Sequence, residues 1–350
     1  MTISRPPIDE GLLRTAVARG IITNAQANGL LALAASGALV PDEPQDDEKL
    51  RFITGFNDIF VTIGLGLFLG AIGYLGLGAA GVGVAGLMVA VASWILAEYF
   101  TARRRLALPS IVLGATFVTS VFLAAGSILS GAEYPADAGP SASAIAALVA
   151  LGSAALHYWR FRVPITIAAG AAAAGGALLS VLAALAPEMM QALWQPILVV
   201  MGLVVFGLAM RFDLKDPLRQ TLNTDIAFWL HLLAAPLIVH PLVSGIAGSG
   251  GEADMSTLSA LAVLGTFVVL AVVALVVDRR AMLVSGLVYA GIAFARLVGL
   301  SSDTSWPLTM LVLGIFVLAL SAGWRPLRRA LLACLPNSFS ARLPHPLTSG

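Results

Sequence analysis

Residues 84–127 read VAGLMVAVASWILAEYFTARRRLALPSIVLGATFVTSVFLAAGS. Two apolar runs flank the triplet Arg103, Arg104 and Arg105. A helix rises 1.5 Å per residue, so about twenty apolar residues match the roughly 30 Å hydrocarbon core of a bilayer. A basic triplet resists transfer through that core and collects on the cytoplasmic side. The stretch therefore predicts two membrane-spanning helices joined by a short cytoplasmic turn.

The same reading extends outward from this hairpin. Apolar windows predict spans at about 56–77, 80–100, 108–131, 143–159, 164–186, 193–211, 224–246, 257–277, 282–300 and 306–323. The predicted fold is an all-α polytopic helical membrane bundle of about ten spans over residues 53–324. Charge supports that count. With ten spans and a cytoplasmic N-terminus, the cytoplasmic segments hold every Lys and Arg of the 20 except Arg296. The opposite loops hold Glu133, Asp137, Glu188, Glu252, Asp254 and Asp303 and no basic residue. Removing one span would scramble this pattern and put the two ends on opposite sides.

Composition agrees. Of 350 residues, 59% are apolar and 11% charged, with mean hydropathy +0.92. Soluble domains carry about 25% charged residues. Net charge of +1 argues against a nucleic-acid partner, which calls for a basic patch. A single cysteine, Cys334, allows no internal disulfide. The acidic residues of the first fifty, Asp42, Glu43, Asp46, Asp47 and Glu48 among them, do not fit a cleavable signal peptide.

Residues 1–36 read differently, as a cytosolic helical hairpin. A first helix runs from Asp9 to about Arg19, and Gly20 suits the left-handed position that ends it. Thr23-Asn24-Ala25-Gln26 matches a capping box, in which Thr23 and Gln26 each satisfy the other's amide. A second helix follows to about Ser36. Thirty residues bury too little to stand alone, so residues 8–36 are expected to engage the membrane domain, a second copy or a protein partner. Residues 37–52, with Pro41, Pro44 and the acidic run, read as a solvated linker. Residues 325–350 read as a cytosolic tail that opens with an interfacial helix, Arg325, Arg328 and Arg329 beside Leu327, Leu331 and Leu332.

The stretch Arg19-Gly20-Ile21-Ile22-Thr23-Asn24-Ala25-Gln26-Ala27 resembles the head of a bacterial multi-pass family, the domain-of-unknown-function family numbered twenty-one fifty-seven. In that family a head of the form x-x-G-I-I-x-x-x-Q-A precedes a run of hydrophobic spans. The match covers under a tenth of the chain. It implies an integral protein of a bacterial inner membrane and brings no activity with it.

No catalytic constellation stands out, and no cofactor or metal is expected. Ionisable groups within spans are the first functional suspects. Arg296, one turn from the outer end of the ninth span, shares a partly polar face with Ser285, Tyr289 and Ile292. It suits an anionic substrate, an outer carboxylate such as Asp303, or snorkelling to the interface. The seventh span carries Asp225, Trp229, Leu232, Pro236 and His240 on one face, with His231 on another. Pro236 removes a backbone hydrogen bond there. Substrate-binding candidates are therefore Arg296, Tyr289, Asp225, His231 and His240. Asp58 and Glu98 suit capping or pairing with cytoplasmic arginines. His157, beside Tyr158 and Trp159, suits an aromatic belt. Gly66, Gly70, Gly73 and Gly76 suit a small-residue helix contact, as does Gly170 with Ala174. Arg104-Arg105-Leu106-Ala107-Leu108-Pro109-Ser110 is echoed by Arg279-Arg280-Ala281-Met282-Leu283-Val284-Ser285 and, loosely, by Arg162-Val163-Pro164. Duplication and the bare positive-inside rule both account for the echo.

Three functional classes fit these readings. One is a structural or regulatory membrane protein, in contact with membrane lipids, whose head recruits or oligomerises. The second is a transporter or channel for a small solute. The third is an intramembrane enzyme acting on lipid.

Overall fold

The computed structural model describes residues 10–35, 56–131, 137–216, 219, 221–247, 256–297 and 305–335. These residues fold as helices without strands and divide into two compact units, residues 1–49 and 50–350.

The first unit is the head, built from α1 (Glu10–Ala18) and α2 (Asn24–Ala35). Gly20 takes φ +68°. Its amide donates to the Val17 carbonyl and that of Ile21 to the Ala16 carbonyl. This pair of bonds is the Schellman closure, and a side chain at Gly20 would oppose it. The capping box forms as read: the Thr23 amide donates to Gln26 Oε1 at 2.8 Å, and the Gln26 amide donates to Thr23 Oγ1 at 3.3 Å. Asp9, expected to cap α1, lies outside the described residues, as do the whole of the linker and the end of the tail.

The second unit is the membrane bundle: α3 (Phe56–Ala97), α4 (Ala107–Ser130), α5 (Pro140–Phe161), α6 (Ile165–Leu185), α7 (Pro187–Lys215), α8 (Leu222–Ala247), α9 (Thr257–Val277), α10 (Ala281–Leu297) and α11 (Ser305–Ala333). A π-helical turn, Glu98–Arg103, follows α3. Among the described residues, eight helices are long and apolar enough to cross a membrane, α3 and its π turn counted as one, and α10 is a shorter apolar helix. Their outward faces carry large apolar side chains such as Phe60, Leu67, Tyr74, Val204 and Leu318. Only a lipid solvent makes such a surface stable.

α3 is two arms. Ala80 and Gly81 leave helical geometry, with φ −157° and +79°. A Cβ on Gly76 would stand 2.7 Å from the Ala85 Cα and one on Gly73 would stand 3.4 Å from Val89. Nine residues along a straight helix span about 13.5 Å, so the second arm must fold back on the first. The expected glycine contact is thus made by Gly73 and Gly76. Gly66 and Gly70, expected to share it, have open space where a Cβ would go. They lie on the exposed face of the first arm, whereas their neighbours Leu65 and Leu69 are the residues that pack against the second arm. Gly170 packs on Leu151 and Ala154 of α5.

Small residues also set the next approach: a Cβ on Gly86 would stand 2.8 Å from the Ser120 carbonyl oxygen and 2.9 Å from the Ala124 nitrogen of α4. Phe117, Val118, Ala150 and Ala154 continue this core into α5. α8 is the central helix of the remainder. Ile226, Leu230 and Ala234 pack with α6 and α7, and Val239 and Val243 with α9 and α10. α11 closes the bundle through Trp324, which packs with Phe267, Leu275 and Met282.

Four helix junctions lie at the end of the bundle that carries the arginines. Each turns through a non-glycine residue of positive φ: Arg105 (53°), Arg162 (54°), Arg219 (53°) and Asp278 (61°). The next helix starts two or three residues later each time. The echoed sequences thus lie at similar tight junctions, but the left-handed residue falls at Arg105 within one copy and at Asp278, just before Arg279, in the other. At α11, residues 325–333, read from sequence as the opening of the tail, continue the helix without a break. Arg328 is anchored in the interior, its Nε donating to the Leu275 carbonyl at 3.1 Å, which holds the helix past the apolar stretch.

The glycine contacts make a test. Gly86→Ala should cost about 1–3 kcal/mol, because backbone of α4 must move to admit the methyl group. Gly66→Ala should be neutral or slightly stabilising. Denaturant-induced unfolding in mixed micelles measures both, and equal effects would contradict the packing described.

Candidate functional site

The largest concentration of buried charge joins the basic ends of α7, α8, α9 and α11. Asp213 sits in the last turn of α7 and is buried. A carboxylate there faces the negative end of the helix dipole, so it needs cations from elsewhere. Arg279 supplies a two-pronged contact, Nη2 to Oδ1 and Nε to Oδ2 at 3.2 Å. That fork fits the planar carboxylate better than a point charge could. His231 Nε2 donates to the same Oδ2 at 2.9 Å. His231 is fully enclosed, its ring edge-on to Phe206, and its Nδ1 has no partner among the described residues.

Asp278 repeats the arrangement at the end of α9. Its left-handed backbone is one that Asp tolerates better than most residues. Arg219 Nη1 stands 3.1 Å from its Oδ2 while Nη2 donates to its carbonyl at 2.9 Å. Trp324 Nε1 donates to Oδ1 at 2.7 Å, and Arg328 Nε lies 3.7 Å from the same oxygen. A third carboxylate, Asp216, accepts from the Thr221 amide and hydroxyl at 2.7 Å and from the Thr224 hydroxyl at 2.9 Å. It thereby organises the start of α8. Arg279 ties the two parts together by donating to the Thr224 carbonyl at 3.3 Å. Two buried carboxylates, Asp213 and Asp278, thus meet three guanidiniums and one imidazole, while Asp216 is held by threonine donors.

The sequence-derived candidates do not form one site. His231 belongs to this cluster. His240 and Tyr289 meet toward the opposite end of α8 and α10, Nδ1 to hydroxyl 2.6 Å, with the Trp194 ring 6.4 Å from the imidazole. Asp225 stands apart from both, in a cleft that Arg105, Arg160 and Arg162 also line. Arg296 lies on α10, but its side chain falls outside the described residues. Ser285 does likewise. Glu98 pairs with Arg160 at 2.6 Å, a half-exposed bridge, and Asp58 is buried at the start of α3.

His157 corrects its reading. Expected at the interface, it is fully enclosed between Trp94, Phe117 and Phe161, with ring centroids 6.1, 5.6 and 4.6 Å away. Gly114 permits this, since a Cβ there would stand 3.2 Å from the imidazole. Trp159 is the residue that faces outward. Of the buried cluster, Asp213, Asp216, Asp278 and Trp324 carry no expectation from the sequence, and Arg279 and Arg328, read as surface charges of a junction and of an interfacial helix, are buried instead. Their one visible signal is acidic residues at the positive end of the bundle: Asp213 and Asp216 beside Arg211 and Lys215, and Asp278 before Arg279 and Arg280.

No family model, curated protein or solved structure matches the chain.

The cluster predicts strong coupling. Arg279→Gln or Asp213→Asn alone should cost about 3–5 kcal/mol, because each leaves a buried charge without its partner. The double variant should cost clearly less than the sum, and a thermal-melting double-mutant cycle measures that difference. Additive losses would show that the two groups act separately.

Proposed function

We propose that this chain is a structural or regulatory integral membrane protein whose cytosolic head recruits a partner or drives oligomerisation. The proposed topology has ten crossings, α3 contributing two, with both ends cytoplasmic in a bacterial inner membrane. We propose membership of the family twenty-one fifty-seven on the head motif. The observation that carries the functional reading is how the buried ionisable groups are used. Asp213, Asp278, Arg219, Arg279 and Arg328 neutralise one another at one end of the helices. Ion-coupled transport is generally served by ionisable groups facing a water-filled path. The head, by contrast, is a separate compact unit that leaves Ile21 70% exposed and Leu30 outward-facing. Both features suit a rigid anchor bearing an interaction module.

A small-solute transporter is the second reading, favoured by α8. This helix carries Pro236 and Pro241 and, within its length, His231 and His240, the latter paired with Tyr289. Prolines release carbonyls that can serve a substrate.

Deleting residues 1–40 discriminates these. Membrane insertion and melting temperature should be retained, while mass measurements in nanodiscs and co-purification show a lost oligomer or a lost partner. An unchanged oligomer and unchanged partners would remove the recruiting reading. Solute uptake by proteoliposomes, abolished by His240→Ala, would establish transport instead.

A further inference from the structure

We propose that the cleft at the basic end, between α4, the α5–α6 junction and the start of α8, is a binding site for a phosphate-bearing anion. The cleft holds about 460 Å³, within the range of small-ligand sites. Four independent features converge on it.

The first is charge. Arg105, Arg160 and Arg162 line the cleft together with Asp225. Glu98 occupies Arg160. Arg105 and Arg162 have no ion-pair partner among the described residues. One positive charge is left in excess even after Asp225 and Glu98 are counted.

The second is helix polarity. α4, α6 and α8 all begin at this cleft, through Leu106 and Ala107, Val163 and Pro164, and Leu222. Neither α4 nor α6 has a side chain capping its first amides. The positive ends of helix dipoles, with amides pointing outward, favour an anion.

The third is backbone strain. Arg105 and Arg162 each hold a positive φ, which costs about 1–3 kcal/mol for a non-glycine residue. Glycine would close the same turns without that penalty. Retaining arginine at both places keeps two guanidiniums at one cleft. The π turn Glu98–Arg103 borders it as well, through Thr101 and Ala102. Such turns concentrate at functional positions.

The fourth is an unsatisfied group. Thr101 is nine-tenths buried, lines the cleft, and its hydroxyl has no partner among the described residues. Phe161 and Trp229 supply apolar walls, so the ligand is an anionic group with an attached body. A phospholipid headgroup and a soluble phosphate ester share that chemistry. This inference does not depend on the head or on the reading of the cluster around Asp213.

The test uses the full chain in neutral detergent and in nanodiscs. Melting is followed against inorganic pyrophosphate. Lipid retention is followed by native mass spectrometry with phosphatidylglycerol and with phosphatidylcholine. Binding of pyrophosphate identifies a soluble anion, and selective retention of phosphatidylglycerol identifies a headgroup. In either case Arg105→Gln/Arg162→Gln should weaken binding at least about tenfold, two charge-assisted contacts being lost. Arg103→Gln/Arg104→Gln removes equal charge from neighbours outside the cleft and should leave affinity within about twofold. If the first double variant fails to fold, Arg162→Gly removes the guanidinium while relieving the positive φ, and should show the same loss in smaller degree. Absence of binding by either anion overturns the site. So does equal loss in the two double variants, which would reduce the effect to general surface charge.

Discussion

The contact between Asp213 and Arg279 governs the second half of the bundle. Asp213 stands at the end of α7, where the helix dipole opposes a carboxylate, and Arg279 stands between α9 and α10, where a lone guanidinium would be stranded among apolar side chains. Neither group is tolerable without the other. Each is then used again: Asp213 orients His231 of α8, and Arg279 holds the Thr224 carbonyl at the start of that helix. The end of α7, the start of α8 and the distant α9–α10 junction are thereby fixed in register. Asp278 extends the same logic to α11 through Trp324 and Arg328. Apolar packing brings membrane helices together only weakly, since lipid tails are as apolar as leucine. A satisfied ionic cluster adds the direction and specificity that such packing lacks.

The first half is organised by shape. The α3 arms close on Gly76, with Gly73 in contact beside it, and α4 closes on Gly86; at Gly76 and Gly86 the distances admit no side chain. His157 sits within that half in an aromatic box of Trp94, Phe117 and Phe161. Close backbone approach thus holds one half of the molecule and paired charge holds the basic end of the other.

This division explains what could be read from the sequence. The head was legible to single residues, because a Schellman closure and a capping box are local: Gly20, Thr23 and Gln26 carry all their own information. The apolar helices were legible because hydropathy needs only a window. The hairpin at Ala80 and Gly81 was legible for the same reason, since one helix of that length has no place in a bilayer. The cluster was not legible. Asp213, Asp216 and Asp278 resemble ordinary counterions of neighbouring arginines, and only the packing of four helices decides that they are buried. Helical spacing put His240 on one face of α8 and His231 on another, and the two serve different neighbours, His240 meeting Tyr289 and His231 meeting Asp213. Spacing along one helix says which residues align and nothing about what stands opposite.

The four left-handed turns connect these points. A turn through Arg105, Arg162, Arg219 or Asp278 is tight, with the next helix beginning almost at once. Tight turns keep charged side chains close to the helix ends. At Arg219 and Asp278 that closeness is consumed internally, since the two residues bind each other. At Arg105 and Arg162 it is directed into a cleft instead. The same backbone device therefore has a structural use in one half and an open one where the halves meet. A strained conformation persists only when its surroundings over-determine it. For Arg219 and Asp278 the over-determination is the ion pair itself. At Arg162 the left-handed residue closes α5, its amide donating to the Tyr158 carbonyl at 2.8 Å, and no ion pair of Arg105 or Arg162 is present among the described residues, so both guanidiniums are left to the counterion that the proposed anion would supply.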